Sequence, residues 1–288
     1  MGSSTRAQAG YSPFRRSLHR LVRQRSAMIG LLQLILLVGS TLLAPVLNSY
    51  EPTDISPAEA LQPPSAGHLM GTDQLGRDVM SRVLYGGRVS LRVGLIAVAI
   101  GAVVGIFAGV LAGFYCKWLD AFLSRTTDVL LAFPGILLAL VVVAILGPGL
   151  NNVMIAVGIS FIPSFMRVAR GSVLSTRELG YVTAAHALGN TEQAIMLRHI
   201  LPNIGRPLLV LASLGVGTAI LAGAALSFLG LGVQPPDPEW GAMLSTGQNY
   251  VREGWWMSVF PGLAIFLTVL AVNLFGDGLN DAMSPGNR

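Results

Sequence analysis

The chain has 288 residues, of which 52% are hydrophobic and 11% charged, and its formal net charge is +5. A soluble domain carries about a quarter charged residues, so the composition excludes an ordinary soluble globule and points to a chain that crosses a membrane several times. The single cysteine, Cys116, excludes an intrachain disulfide and a cysteine-built metal site.

In chain order, an Arg-rich start (1–26) precedes an apolar run at 27–47. That run is about 20 residues long, the length that crosses a hydrocarbon core, and no small-residue cleavage site follows it, so it predicts an uncleaved signal anchor. Five windows hold no Asp, Glu, Lys or Arg: 26–50, 93–116, 129–166, 207–236 and 254–276. The third is too long for one span. The turn-forming stretch GPGLNN (147–152) divides it into spans near 129–146 and 153–169, for a total of six transmembrane helices. Pro134 and Pro163 are expected inside spans, as hinges or as tolerated bends.

The basic residues set an expected orientation. With the N-terminus inside, Arg6, Arg15, Arg16, Arg20, Arg23, Arg25, Lys117, Arg125, Arg167, Arg170, Arg177, Arg198, Arg206 and Arg288 are cytoplasmic, which is 14 of 19. Arg77, Arg82, Arg88, Arg92 and Arg252 remain outside. Both termini are then cytoplasmic, and the bias accounts for the basic balance without nucleic acid. The expected segments are the cytoplasmic 1–26, the span 27–47, an external loop 48–88, a five-helix core 89–276 and a cytoplasmic tail 277–288.

The external loop opens Pro-rich. Leu75, Val79 and Val83 then fall at i, i+4 and i+8, with Arg77, Asp78 and Arg82 on other faces. This predicts an amphipathic helix near the outer membrane surface, serving for packing or as a gate or docking surface. In the second span, Gly101, Gly105, Gly109 and Gly113 form a stripe of small residues suited to close helix packing.

Catalytic patterns are missing. The chain has no GxxxxGK[ST] phosphate loop, no GxSxG, and no Cys/His nucleophile arrangement. Its histidines, His19, His68, His186 and His199, lack metal-ligand spacing; His186 and His199 could meet in space but read first as polar surface residues of a cytoplasmic loop. The apolar windows hold no ionisable groups of the kind that proton- or ion-driven carriers place within the bilayer. Energy for uphill transport would therefore arrive from outside the membrane, although coupling through backbone-bound Na⁺ stays open.

Between the fourth and fifth spans lies YVTAAHALGNTEQAIMLRHILPNIGRP (181–207). Tyr181, Ala184, Ala185 and Leu188 make one apolar helical face. Gly189 is placed to end that helix in a left-handed C′ position. Asn190 is expected to cap a second helix, paired with Gln193 and helped by Glu192. Ala194, Leu197 and Leu201 repeat on it, and Pro202 is expected to stop it. The prediction is helix, glycine joint, helix, stop: a knob whose displacement would move the flanking spans.

This stretch resembles the "EAA" loop of permease subunits from binding-protein-dependent ABC importers. Ala184, Ala185, Gly189, Leu201 and Pro202 match that pattern, while Thr183 stands where Glu is usual and His199 where Ile is usual. Segments 68–91, 128–140, 226–244 and 260–285 are similar, in order, to the second permease subunit of dipeptide, oligopeptide and nickel importers. The resemblance implies an all-α type I importer permease fold with a cytoplasmic coupling-helix loop at 170–206. It implies that Thr183, Ala184, Ala185, Gly189, Leu201 and Pro202 couple to an ATPase, and that Gly71, Thr72, Asp73, Gly76, Arg77 and Asp78 form an external-loop motif. It also implies a second homologous permease, two cytoplasmic ATPase subunits that carry the ATP and Mg, an external solute-binding protein and a bacterial inner membrane. Expected function is a solute pathway, for di- or oligopeptides before glutathione or nickel, and not an enzyme. A self-contained carrier or channel is the alternative.

Overall fold

The computed structural model describes residues 21–115 and 117–283. Arg6, Arg15, Arg16, His19, Arg20, Cys116 and Arg288 lie outside the described residues. Among the described residues the chain is helical, with a single isolated bridge between Thr72 and Asp78 in place of any sheet.

Among the described residues five helices are long and apolar enough to cross a membrane, and a sharply bent pair is long and apolar enough for a sixth crossing when taken as one span. The first is α1 (Arg25–Leu42), followed after Leu43 by the one-turn α2 (Ala44–Leu47). Next comes α3 (Val79–Phe114), 36 residues without a break. The bent pair is α4 (Lys117–Leu131) and α5 (Gly135–Leu146), meeting at 95°. Then follow α6 (Leu150–Arg177) and the short α7 (Gly180–Ala187). The four-residue α8 (Glu192–Ile195) runs through a π turn (Met196–Ile200) into α9 (Leu201–Phe228). Last are α10 (Trp240–Gly247) and α11 (Trp256–Met283).

The glycine stripe forms a close seam with α6. A Cβ at Gly101 would lie 2.5 Å from Phe161 Cβ, at Gly105 2.6 Å from Phe165 Cβ, at Gly109 2.7 Å from Ala169 Cβ and at Gly113 2.9 Å from Val173 Cβ. Both numberings climb together, so α3 and α6 run parallel with backbones in near contact, which only residues without side chains permit. α9 runs antiparallel to α3, with Gly94 against Ile220 and Gly223 against Val93. α11 is antiparallel to α9 and α1 to α11, where Gly30 meets Ala271 and Gly278 meets Ala27. Gln24 Nε2 donates to Asp281 Oδ2 at 2.7 Å, so both ends of the described chain meet at one end of the bundle.

The structure corrects several expectations. No helix begins at Leu75: Asp78 is the N-cap, accepting from Ser81 N, and the helix that starts at Val79 continues straight into the span. The expected surface-lying amphipathic helix is therefore the first turns of α3, held by its cap. The expected span 129–146 is split, because Pro134 is not inside a helix but caps α5. A residue before proline is driven out of the α region, and the chain breaks there. The expected span 153–169 extends to Leu150–Arg177 and carries Pro163 within it. At GPGLNN the turn forms as expected: Gly147 has φ +86°, and Asn152 Nδ2 donates to the carbonyls of Leu146 and Gly147, both at 3.0 Å.

Candidate functional site

Chemistry-bearing residues gather at the two ends of the bundle: a cap built from 48–78, the start of α3 and 233–256, and a knob built from 178–201.

In the knob, α7 ends in a Schellman arrangement. Gly189 has φ +79°, its N–H donates to His186 O at 2.9 Å, and the N–H of Asn190 donates to Ala185 O at 3.2 Å. The glycine joint thus stands where the spacing predicts it. The cap of the next helix moves by one residue. Thr191 is the N-cap, its Oγ1 accepting from Ala194 N at 3.3 Å, while Asn190 Nδ2 turns back to donate to Ala185 O at 3.1 Å. Pro202 does not stop the helix. The π turn lets Leu201 N donate to Met196 O, five residues back, and Asn203 Nδ2 donates to His199 O at 2.6 Å. The missing proline donor is absorbed by this change of register.

The packing face also differs from the expected one. Val182, Ala185, Ile195 and Ile200 are buried in the main core, together with Ile204. Of the predicted face, only Ala185 is among them. Thr183, Ala184, Gly189, Leu201 and Pro202 are exposed, as are Tyr181 and Leu197, and Leu188 is 83% exposed. The knob is anchored by one apolar face and presents a second to its surroundings. Exposed leucines around a rigid joint form a surface suited to a protein partner.

In the cap, polarity is inverted. Asp73, Arg77, Asp78 and Arg82 are buried. Asp73 Oδ1 accepts from the backbone N–H groups of Leu75 (2.8 Å) and Arg77 (3.0 Å), and its Oδ2 accepts from Arg77 Nε at 2.6 Å. Arg82 Nε lies 3.6 Å from the same oxygen, and Arg82 Nη1 donates to Pro52 O at 2.7 Å. Asp78 caps α3 and also takes a hydrogen bond from Asn48 Nδ2 at 2.6 Å, with His68 Nδ1 2.9 Å from its other oxygen. Each buried charge is thus paired or hydrogen-bonded, as burial requires.

Glycines close this weave. Gly76 has φ +76°, and a Cβ there would run into the backbone of Ser56. Gly71, φ +73°, sits under Trp256, whose Nε1 donates to Thr72 O at 2.9 Å. All six predicted external-loop residues are therefore brought together. Residues the sequence did not single out complete the cap: Glu239 is buried, accepts from Ser90 Oγ at 3.0 Å and from Ala242 N at 2.9 Å, and begins α10. Trp240 Nε1 donates to Val83 O at 2.9 Å. The buried acidic N-cap just before a tryptophan, in PEWGAM, is the signal that could have found them.

Among the described residues no group of three or more His, Cys, Asp or Glu side chains is placed to hold a metal ion. His186 and His199 do not converge on one; the His199 ring instead lies 6.1 Å from that of Tyr181.

Residues 105–288 match the family described as binding-protein-dependent transport system inner membrane component. The chain belongs to this permease family. Residues 12–64 of the permease match a second description, the N-terminal TM domain of oligopeptide transport permease C. Over 95% of its length the permease is 45% identical to the dipeptide transport system permease protein DppC of Alkalihalophilus pseudofirmus, covering 90% of that protein. It is 46% identical, also over 95% of its length, to the glutathione transport system permease protein GsiD of Escherichia coli O6:K15:H31, covering 91% of that protein. Among solved structures, a chain of the MetNI methionine ABC transporter in an inward-facing conformation matches 72% of the permease and 98% of its own length, with a TM-score of 0.58 at 19% identity. That likeness concerns the fold: the permease has the helical architecture of ABC importer permease subunits. Family and relatives together favour a permease subunit over a self-contained carrier or channel.

Proposed function

We propose that this permease subunit forms half of the route for di- or oligopeptides across a bacterial cytoplasmic membrane, with the knob on the cytoplasmic side and the cap outside. Names of the relatives support the solute class, and the excess of basic residues on the knob side supports the orientation. A second homologous permease would complete the route. Two cytoplasmic ATPase subunits would hold the ATP and Mg for which this chain has no phosphate loop, and an external binding protein would deliver solute to the cap.

The observation that carries this reading is the double-faced knob. Val182, Ala185, Ile195 and Ile200 tie it into the core while Leu188, Leu197 and Leu201 stand out from it. A rigid projection fixed in the bundle and apolar at its tip suits a groove on a separate motor. Closure of that motor would move α6 and α9, which enter and leave the knob. Gly189→Pro tests the coupling, because proline cannot adopt a φ of +79° or supply the N–H that bonds His186 O. Uptake of a labelled dipeptide by cells carrying the whole importer should be abolished while the membrane content of the permease is unchanged. Normal uptake at normal membrane levels would overturn it.

A further inference from the structure

The break between α4 and α5 sits at an unusual depth. α6 starts at Leu150, and Gly149 N donates to Leu231 O at 2.9 Å, which places this start level with the far end of α9. A Cβ on Gly135 would lie 3.9 Å from Ser160 Cβ, and Ser160 is roughly 15 Å along α6 from Leu150. A hydrocarbon core is roughly 30 Å thick. The non-helical residues Ala132, Phe133 and Pro134 therefore lie about halfway through it.

Backbone at that depth needs hydrogen-bond partners, because lipid supplies none. Ala132 N reaches Asp128 O at 3.1 Å, Phe133 N reaches Leu130 O at 3.3 Å and Leu137 N reaches Pro134 O at 2.9 Å. Among the described residues, nothing donates to the carbonyls of Leu131, Ala132 and Phe133, and the N–H groups of Gly135 and Ile136 reach no acceptor. Phe133 is 58% exposed. On the knob side of the break, a cleft of about 90 Å³ is lined by Ser124, Thr127, Asp128, Met166, Arg167 and Arg170. Asp128 and Arg167 pair across it at 2.7 Å with more than half of each side chain exposed. Open carbonyls at the break, with half-exposed charges one helical turn away at Asp128, suit water and not acyl chains.

We infer that the Ala132–Pro134 break, with the exposed Phe133, faces water on the solute's route. The inference rests on the import function proposed above. It is tested in the assembled importer, with Cys116→Ser as background and Phe133→Cys, Ala132→Cys and Leu36→Cys introduced singly. Leu36 lies on the outward face of α1 and serves as the lipid-facing control. Membrane vesicles are treated with a membrane-impermeant maleimide, which reacts with a thiolate that only a hydrated site can form. Cysteines at 132 and 133 should label at least about ten times faster than cysteine at 36. Dipeptide uptake by the unsubstituted importer is measured separately. Fast labelling at both positions with no uptake would support a hydrated break and remove the peptide-import reading. Uptake together with labelling no faster than at position 36 would overturn the inference and leave import standing.

Discussion

Cap and knob solve opposite problems with similar local chemistry. The cap buries five charged side chains, Asp73, Arg77, Asp78, Arg82 and Glu239, and satisfies them within the chain. In the knob the arrangement is reversed, with Tyr181, Leu188, Leu197 and Leu201 exposed. Each end turns on a glycine of nearly the same φ, +76° at Gly76 and +79° at Gly189. Around Gly76 the backbone of Ser56 fills the space, whereas nothing lies within 4 Å of a Cβ at Gly189. One end is finished by its own atoms and the other leaves its apolar tip uncovered.

The contrast is sharpest in the stability of the isolated permease. Asp73→Ala should have the largest effect. It removes the carboxylate shared by Arg77 and Arg82 and leaves buried positive charge uncompensated, a loss of about 3–5 kcal/mol. Thermal unfolding in detergent would read this as a large fall in Tm, and an unchanged Tm would mean that the cap is not self-sufficient. Gly76→Ala comes next at about 1–3 kcal/mol, because a strained φ and a blocked Cβ act together. Gly189→Ala meets only the left-handed backbone penalty, about 1–2 kcal/mol, and should sit at the low end of that range. Equal effects of the two glycine substitutions would break the comparison. Leu188→Ser should be smallest, within about 0.5 kcal/mol, since its side chain packs against little of this chain. For that variant the informative measurement is co-purification with the ATPase subunits, which should fall although Tm does not.

Much of this was legible in the sequence. The charge-free windows placed the spans, and the spacing around Gly189 placed the joint. What was missed has physical causes. Periodicity identifies an apolar face but not which residues a chain keeps for itself: of Tyr181, Ala184, Ala185 and Leu188 only Ala185 is buried, beside Val182, which the spacing does not select. Charge reads as exposure, so Arg77, Asp78 and Arg82 read as the polar faces of an amphipathic helix, whereas all three are buried. Asp73 at four residues before Arg77 was the signal that their charges are met internally. Proline marks a lost donor without saying how the loss is absorbed: Pro134 ends helical structure at the break, whereas a π turn carries the chain past Pro202.

The parallel glycine seam between α3 and α6 has one more consequence. α6 ends two residues before α7, and α3 begins at the aspartate that fastens the cap. At four successive glycines of α3 the two helices close tooth to tooth against Phe161, Phe165, Ala169 and Val173 of α6. They make a stiff pair, so a displacement imposed at Arg177 would be passed to α3, whose other end, Val79, lies at the cap.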